Sequence, residues 1–199
     1  MAAGDIDVLV GTQMIAKGHD FPSVTLAGVI AADVGLGLAD FRAAERTFQL
    51  LTQVVGRAGR GTVPGEAVIQ TLYPDHYAIQ AAARQDYHAF FDREMTFRAA
   101  MHYPPAVALI NVFVKGRSLE RAMADAQQLV ARVREQKPPG RIIGPATAAL
   151  SKIKDEYRVQ FFAKSQQRTR MREAIQRAVA ERPDLKKRVV VDVDPMSVI

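Results

Sequence analysis

RAAERTFQLLTQVVGRAGRG, Arg42–Gly61, carries a helix and its stop signal in one stretch. Ala43, Phe48, Leu50, Leu51, Val54 and Val55 recur at spacings of three to four, which predicts a helix running to Val55. Gly56, Gly59 and Gly61 then end it. Short, aliphatic, β-branched runs flank this helix: IDVLVG (6–11) and VTLAGVIAAD (24–33) before it, EAVIQTL (66–72) after it. The first two predict strands of a parallel sheet, buried on both faces. Strand, polar loop, strand, helix, strand is a piece of α/β architecture. It is too short for a complete doubly wound domain, so strands are expected to be missing upstream.

Downstream, Pro74-Asp75 opens a helical connector whose helices are expected at Ala78–Ala83 and Tyr87–Met101. In the second, Phe90, Phe91, Met95 and Phe97 suit packing, with Arg93 and Arg98 outward. Tyr103-Pro104-Pro105 stops it, because proline lacks the amide and clashes with the preceding turn. Ala106–Val114 then predicts a strand. Leu119–Val133 is an amphipathic helix with Leu119, Met123, Ala126, Val130 and Val133 on one face. Ile142–Ile153 reads as a second strand or extended segment. Tyr157–Lys164 alternates with period two, which makes it a strand with one solvated or ligand-facing side. Met171–Val179 is a helix and Arg188–Asp194 a last alternating strand. The order βαββαβ predicts a ferredoxin-like α+β domain.

Composition bounds the function. The chain of 199 residues is 48% hydrophobic and 24% charged, as in an ordinary globular protein. No run reaches the roughly 18 apolar residues of a membrane helix, and MAAGDIDVLV lacks the basic start of a secretory signal. With Cys 0 there is neither a disulfide nor a thiolate metal site, which favours an intracellular location. His19, His76, His88 and His102 show no metal-ligand spacing, so no metal site is expected. Residues 1–100 hold 8 basic against 11 acidic side chains, and residues 101–199 hold 19 against 10. The basic half suggests a polyanionic partner; the plain alternative is a solvated basic surface.

Arg57 and Arg60 stand three residues apart near the expected helix end. Forked, permanently charged guanidinium groups can hold phosphoryl oxygens in fixed geometry and neutralise charge developing on a γ-phosphate across a cleft. The plain alternative is a helix C-cap whose cations complement the dipole. In GTQMIAKGHDF (11–21), Thr12 follows an expected strand and so lies at its carboxyl end, where α/β sheets bind ligands. Lys17 and His19 flank Gly18, and Asp20 can accept from a ribose hydroxyl or orient an arginine.

The sequence T-x-x-x-x-K-G-x-D, strand, helix, Q-x-x-G-R-x-G-R resembles the second RecA-like lobe of superfamily 2 helicases, where these segments are motifs V and VI. More narrowly, GTQMIAKGHDFPSVTLAGVIAAD, DFRAAERTFQLLTQVVGRAGRG with PGEAVIQT, YPP and VVVDVDP resemble the C-terminal part of the primosomal protein N′ (PriA) family of replication-restart DNA helicases. The likeness covers essentially the whole chain. It implies an ATP-dependent 3′-to-5′ DNA helicase that recognises stalled or branched forks and promotes primosome assembly. Arg57 and Arg60 would be the catalytic arginines at the γ-phosphate, with Gln53, Gly18 and Asp20 also at the nucleotide. Thr12 would hold a phosphate of the tracked strand, with Lys17 in the same loop as a second DNA-binding residue. Asp33 and Arg46 fall in family-like segments and are read as structural. The implied cofactor is ATP with magnesium. The family's zinc insertion has no ligands in a cysteine-free chain. No G-x-x-x-x-G-K-[ST] loop occurs either, so the chain alone is not expected to hydrolyse ATP.

The expected organisation is a partial second RecA-like lobe at 1–73, a helical connector at 74–103 and a C-terminal ferredoxin-like DNA- and partner-binding domain at 104–199. In that domain Lys152, Lys154, Arg158 and Lys164 cluster around one extended segment with Tyr157, Phe161 and Phe162 interleaved, a pattern suited to a nucleic-acid backbone and a stacked base. Basic chains snorkelling over a sheet are the alternative. Arg158, Gln160, Phe162 and Lys164 share one strand face, while Tyr157 points to the other. The resemblance implies forked or single-stranded DNA, single-stranded DNA-binding protein and other primosome proteins as partners, Gln160 being a candidate for the protein contact. It also implies a cytoplasmic, nucleoid-associated setting. RTRMR (168–172) reads as a solvated helix face. A non-enzymatic DNA- or partner-binding module is the other function open to the sequence.

Overall fold

The computed structural model describes residues 6–14, 24–59 and 64–198. It is a mixed α/β structure with a parallel two-stranded sheet and an antiparallel four-stranded one. The chain divides into two compact units, one ending at Thr96 and the other beginning at Phe97. No described helix is long and apolar enough to cross a membrane.

The first unit contains β1 (Leu26–Val29), α1 (Ala43–Val55), β2 (Glu66–Ile69), α2 (Tyr77–Ala83) and most of α3 (Tyr87–Ala100). β1 and β2 run parallel with Ala27 opposite Ala67 and Val29 opposite Ile69. The 3–4 spacing along α1 turns Ala43, Phe48 and Leu51 inward. Phe48 and Leu51 join Ile79, Ala82 and Phe90 in a core where the Phe48 and Phe90 rings stack 4.1 Å apart. The buried carboxylate of Asp40 starts α1 by accepting from the Arg42 amide at 2.9 Å and pairing with Arg46 at 3.1 Å. Asp33 accepts from the Leu72 amide at 2.9 Å and so ties the chain after β1 to the chain after β2. That amide, helped by the Thr71 hydroxyl, holds the Asp33 carboxyl below the usual aspartate range. Asp33 and Arg46 are thus in structural positions.

Three expectations change here. Residues 6–11 form no strand, and Val8 and Val10 are 75% and 85% exposed. β-Propensity needs an edge to pair with, and among the described residues β1 pairs only with β2. The run 24–33 shortens to β1, and Leu26 and Ile30 face outward rather than being buried on both sides. In α3, Phe91 and Phe97 are half-exposed while Glu94 and Arg98 turn inward. Polar groups can occupy buried sites when each is satisfied. Glu94 accepts from the Tyr77 hydroxyl at 2.5 Å, and Arg98 donates to the Pro104 carbonyl at 3.4 Å.

The second unit contains β3 (Ala108–Gly116), α4 (Leu119–Glu135), β4 (Arg141–Ile153), β5 (Glu156–Ser165), α5 (Arg168–Ala180) and β6 (Val189–Val193). The sheet order is β4-β5-β3-β6, antiparallel throughout. Alternation puts Ile110, Val112 and Val114 of β3 and Val159, Phe161 and Ala163 of β5 on one face. There they pack with Ala126, Leu129 and Val133 of α4 and Met171 and Ile175 of α5. Burying Phe161 completely contributes on the order of 2–3 kcal/mol. Ser118 caps α4 by accepting from the Arg121 amide at 3.2 Å. Leu119 is too near that end to reach the core and is 39% exposed, while Ala122 and Leu129 fill the stripe.

Candidate nucleotide and nucleic-acid sites

The arginine-bearing turn grows out of the end of α1. Gly56 closes the helix with its amide on the Thr52 carbonyl at 3.0 Å, and the Arg57 amide donates to Val54 at 3.0 Å. Gly59 has a left-handed φ of +76°, and its amide donates to the Val24 carbonyl at 3.1 Å. A Cβ on Gly65 would lie 2.0 Å from the Gly59 nitrogen, so the two backbones touch where only glycine fits. Gly59 therefore serves a contact within the unit, between this turn and the chain entering β2. Gln53 lies in the last turn of α1 and is exposed, while Arg57, in the turn just past the helix end, is half-buried. Thr12 is exposed in an irregular segment. Lys17, Gly18, Asp20 and Arg60 lie outside the described residues.

On the second unit, Arg158, Gln160, Phe162 and Lys164 occupy the sheet face turned away from α4 and α5. They stand opposite Lys115, Phe113, Asn111 and Leu109 of β3, in that order. The Arg158 guanidinium lies over the Phe113 ring, 4.3 Å from its centroid, within cation–π range. Lys164 donates to the Met101 carbonyl at 3.1 Å and sits 3.5 Å over the Tyr103 ring. Burial, and after it the neighbouring Arg141 charge, hold the Lys164 ammonium below the usual lysine range. Lys152 and Lys154 are elsewhere, at the β4–β5 turn, where Lys152 pairs with exposed Asp155 at 3.0 Å. The structure thus separates the four expected cations into a turn pair and a face pair.

Two residues escaped the sequence reading. Arg141 stands directly opposite Lys164 in the β4–β5 register, a pairing visible only once the strands align. Asn111 is wholly buried in mid-β3, and its amide makes no hydrogen bond among the described residues. One polar letter inside ALINVFV was the available signal. Among the described residues no group of three or more His, Cys, Asp or Glu could hold a metal ion.

Residues 99–196 match the family model described as Primosomal protein N C-terminal domain. The chain is 41% identical over 194 residues to the replication restart protein PriA of Bacillus subtilis, covering 96% of this chain and 24% of that protein. It is 41% identical over 198 residues to the Chlamydia pneumoniae protein of the same name, covering 98% and 26%. Identity to the Synechocystis protein is 46% over 163 residues, 81% of this chain and 20% of that one. The chain therefore spans about a quarter of the length of the relatives it matches. Matched along nearly its whole length by proteins of one name, the chain belongs to the PriA family and corresponds to its C-terminal part.

Proposed function

We propose that this chain is the C-terminal working part of an ATP-dependent, 3′-to-5′ DNA helicase of replication restart. Its first unit supplies the responding side of an ATP cleft, as part of a second RecA-like lobe. Its second unit, a ferredoxin-like split-βαβ domain, binds forked DNA and primosome proteins, single-stranded DNA-binding protein among them. One hydrogen bond supports the first assignment best. The Gly59 amide on the Val24 carbonyl ties the turn that carries Arg57 to the start of the run leading into β1, which in sequence follows the Gly11–Phe21 motif. The βαββαβ order with strand order β4-β5-β3-β6 supports the second.

Arg57 suits an anionic γ-phosphate, and Gln53 one turn earlier suits coupling that site to DNA. Gly18, Asp20 and Arg60 would join them, with Thr12 and Lys17 on the tracked strand. The described residues fit only part of a nucleotide site, and the sequence has no loop to cradle the β- and γ-phosphates. ATP and magnesium would be held chiefly by other parts of the longer protein. For the 199-residue chain alone, the activity is therefore DNA binding without hydrolysis, through Arg158, Lys164, Lys152 and Lys154, with Gln160 open to a protein partner. Fluorescence anisotropy with a forked DNA tests this. Affinity should fall steeply with salt as counterions are released, and no ATP turnover should accompany it. Binding unchanged from low to high salt would overturn the DNA assignment in favour of a protein partner.

A further inference from the structure

Two cavities share Gly140 and Arg141 at the turn into the edge strand β4, one on the sheet face that carries Lys164 and the other on the side of α4 and α5. The larger, about 400 Å³, has Met101, Val107 and Ile143 as apolar lining and His102, Arg141 and Lys164 as its basic groups. The smaller, about 260 Å³, is lined by Arg134, Lys137 and the same Arg141, beside Met171. Neither lining contains an aspartate or glutamate. Gly140 belongs to both, with φ +124°, and a Cβ there would lie 2.2 Å from the Lys164 carbonyl oxygen. Glycine is what allows the turn to press this closely on β5.

Arg141 and Lys164 are cross-strand partners. Like charges directly opposite in a sheet destabilise it; burial first, and then the facing Arg141 charge, lower the proton affinity of Lys164. A bound anion would relieve it. The larger cavity falls in the roughly 300–1,000 Å³ range of small-ligand sites and combines cations with an apolar wall. That combination suits a nucleotide, with a phosphate at one end and a flat apolar ring at the other. A second group of cations lies next door, and Arg141 is common to both.

We propose that the two cavities form a track for a single nucleic-acid strand, with one phosphate between Arg141 and Lys164, the next toward Arg134 and Lys137, and a nucleotide resting against Met101, Val107 and Ile143. The track rests on the DNA-binding reading of this unit and adds Arg134, Lys137 and Arg141 to it. A peptide with acidic side chains alone would meet the cations but would leave the apolar wall uncovered.

The test uses the 199-residue chain and a fluorescent 20-nucleotide oligothymidylate, with Kd measured across a salt series. Arg141→Gln should weaken binding about tenfold at low salt, the weight of one charge-assisted contact. It should also flatten the slope of log affinity against log salt by about 0.7, the release expected for one single-strand phosphate contact. Arg141→Lys should keep the slope, and Lys187→Gln, at an exposed cation elsewhere, should change neither quantity. If wild type binds with salt dependence but Arg141→Gln matches Lys187→Gln, the track is wrong and the broader DNA reading survives. If wild type binds no oligonucleotide, both fall. Polyglutamate binding that depends on Arg141, with oligonucleotide binding that does not, overturns the track in favour of an acidic peptide.

Discussion

Arg182 shows what a single residue does that its neighbours in sequence do not announce. Within ERPDLKKR it looks like one more solvated charge. In the structure its guanidinium donates to Asp184 at 2.8 and 2.9 Å and reaches back to Asp125 at 3.1 Å. The Arg182 hydrogen bond is the main reason the Asp184 carboxyl is pulled down to about 2. An unfolded aspartate titrates near ~3.9. The folded state therefore gains from ionised Asp184 above about pH 4, and that gain disappears as pH falls toward 2. Asp184 is half-exposed, so solvent screens the effect. The urea midpoint should drop between pH 5 and pH 2.5, and should drop less in Asp184→Asn. An equal drop in both proteins would remove Asp184 from the acid sensitivity.

At the scale of elements, Asp125 joins pieces that periodicity lists separately. It lies in the inward stripe of α4, 3% exposed, and accepts from Arg182 and from Arg188 at 2.8 Å. Arg188 also donates to the Lys115 carbonyl at 3.0 Å. One carboxylate thus holds α4, the Pro183–Leu185 turn, the start of β6 and the end of β3 together. Asp125→Ala would leave two part-buried guanidinium groups without it, at a cost of about 3 kcal/mol in urea unfolding; a loss under about 1 kcal/mol would contradict the staple. Each α-helix and strand of the second unit was legible, because one face is fully buried and the alternation in Tyr157–Lys164 or the 3–4 spacing in α4 records it. Asp125 was not, since a charge in an apolar stripe makes sense only with its distant partners in view. The first unit was less legible for a related reason. IDVLVG has the letters of a strand, but pairing decides whether a strand forms, and letters do not show the partner. Glu94 and Arg98 turn inward because the Tyr77 hydroxyl and the Pro104 carbonyl meet them, and no letter of the sequence marks those partners.

For the whole molecule, the candidate site was legible only in part. The glycines and arginines of QVVGRAGRG marked the turn, and the structure adds why Gly59 and Gly65 must be glycines: their backbones are in contact. Nothing local could show that the turn hangs on Val24, or that Arg141 faces Lys164. The account makes the first unit the part that responds to nucleotide and the second the part that grips DNA, in a family whose members are about four times as long. The most direct test is a hybrid in which this chain replaces the matching region of the Bacillus subtilis relative, assayed for DNA-stimulated ATP hydrolysis and for DNA affinity. The hybrid should turn over, and Arg57→Ala should lower its turnover about 10³-fold, as loss of a γ-phosphate arginine does, with DNA affinity within about twofold. Normal turnover in the Arg57→Ala hybrid would contradict the account.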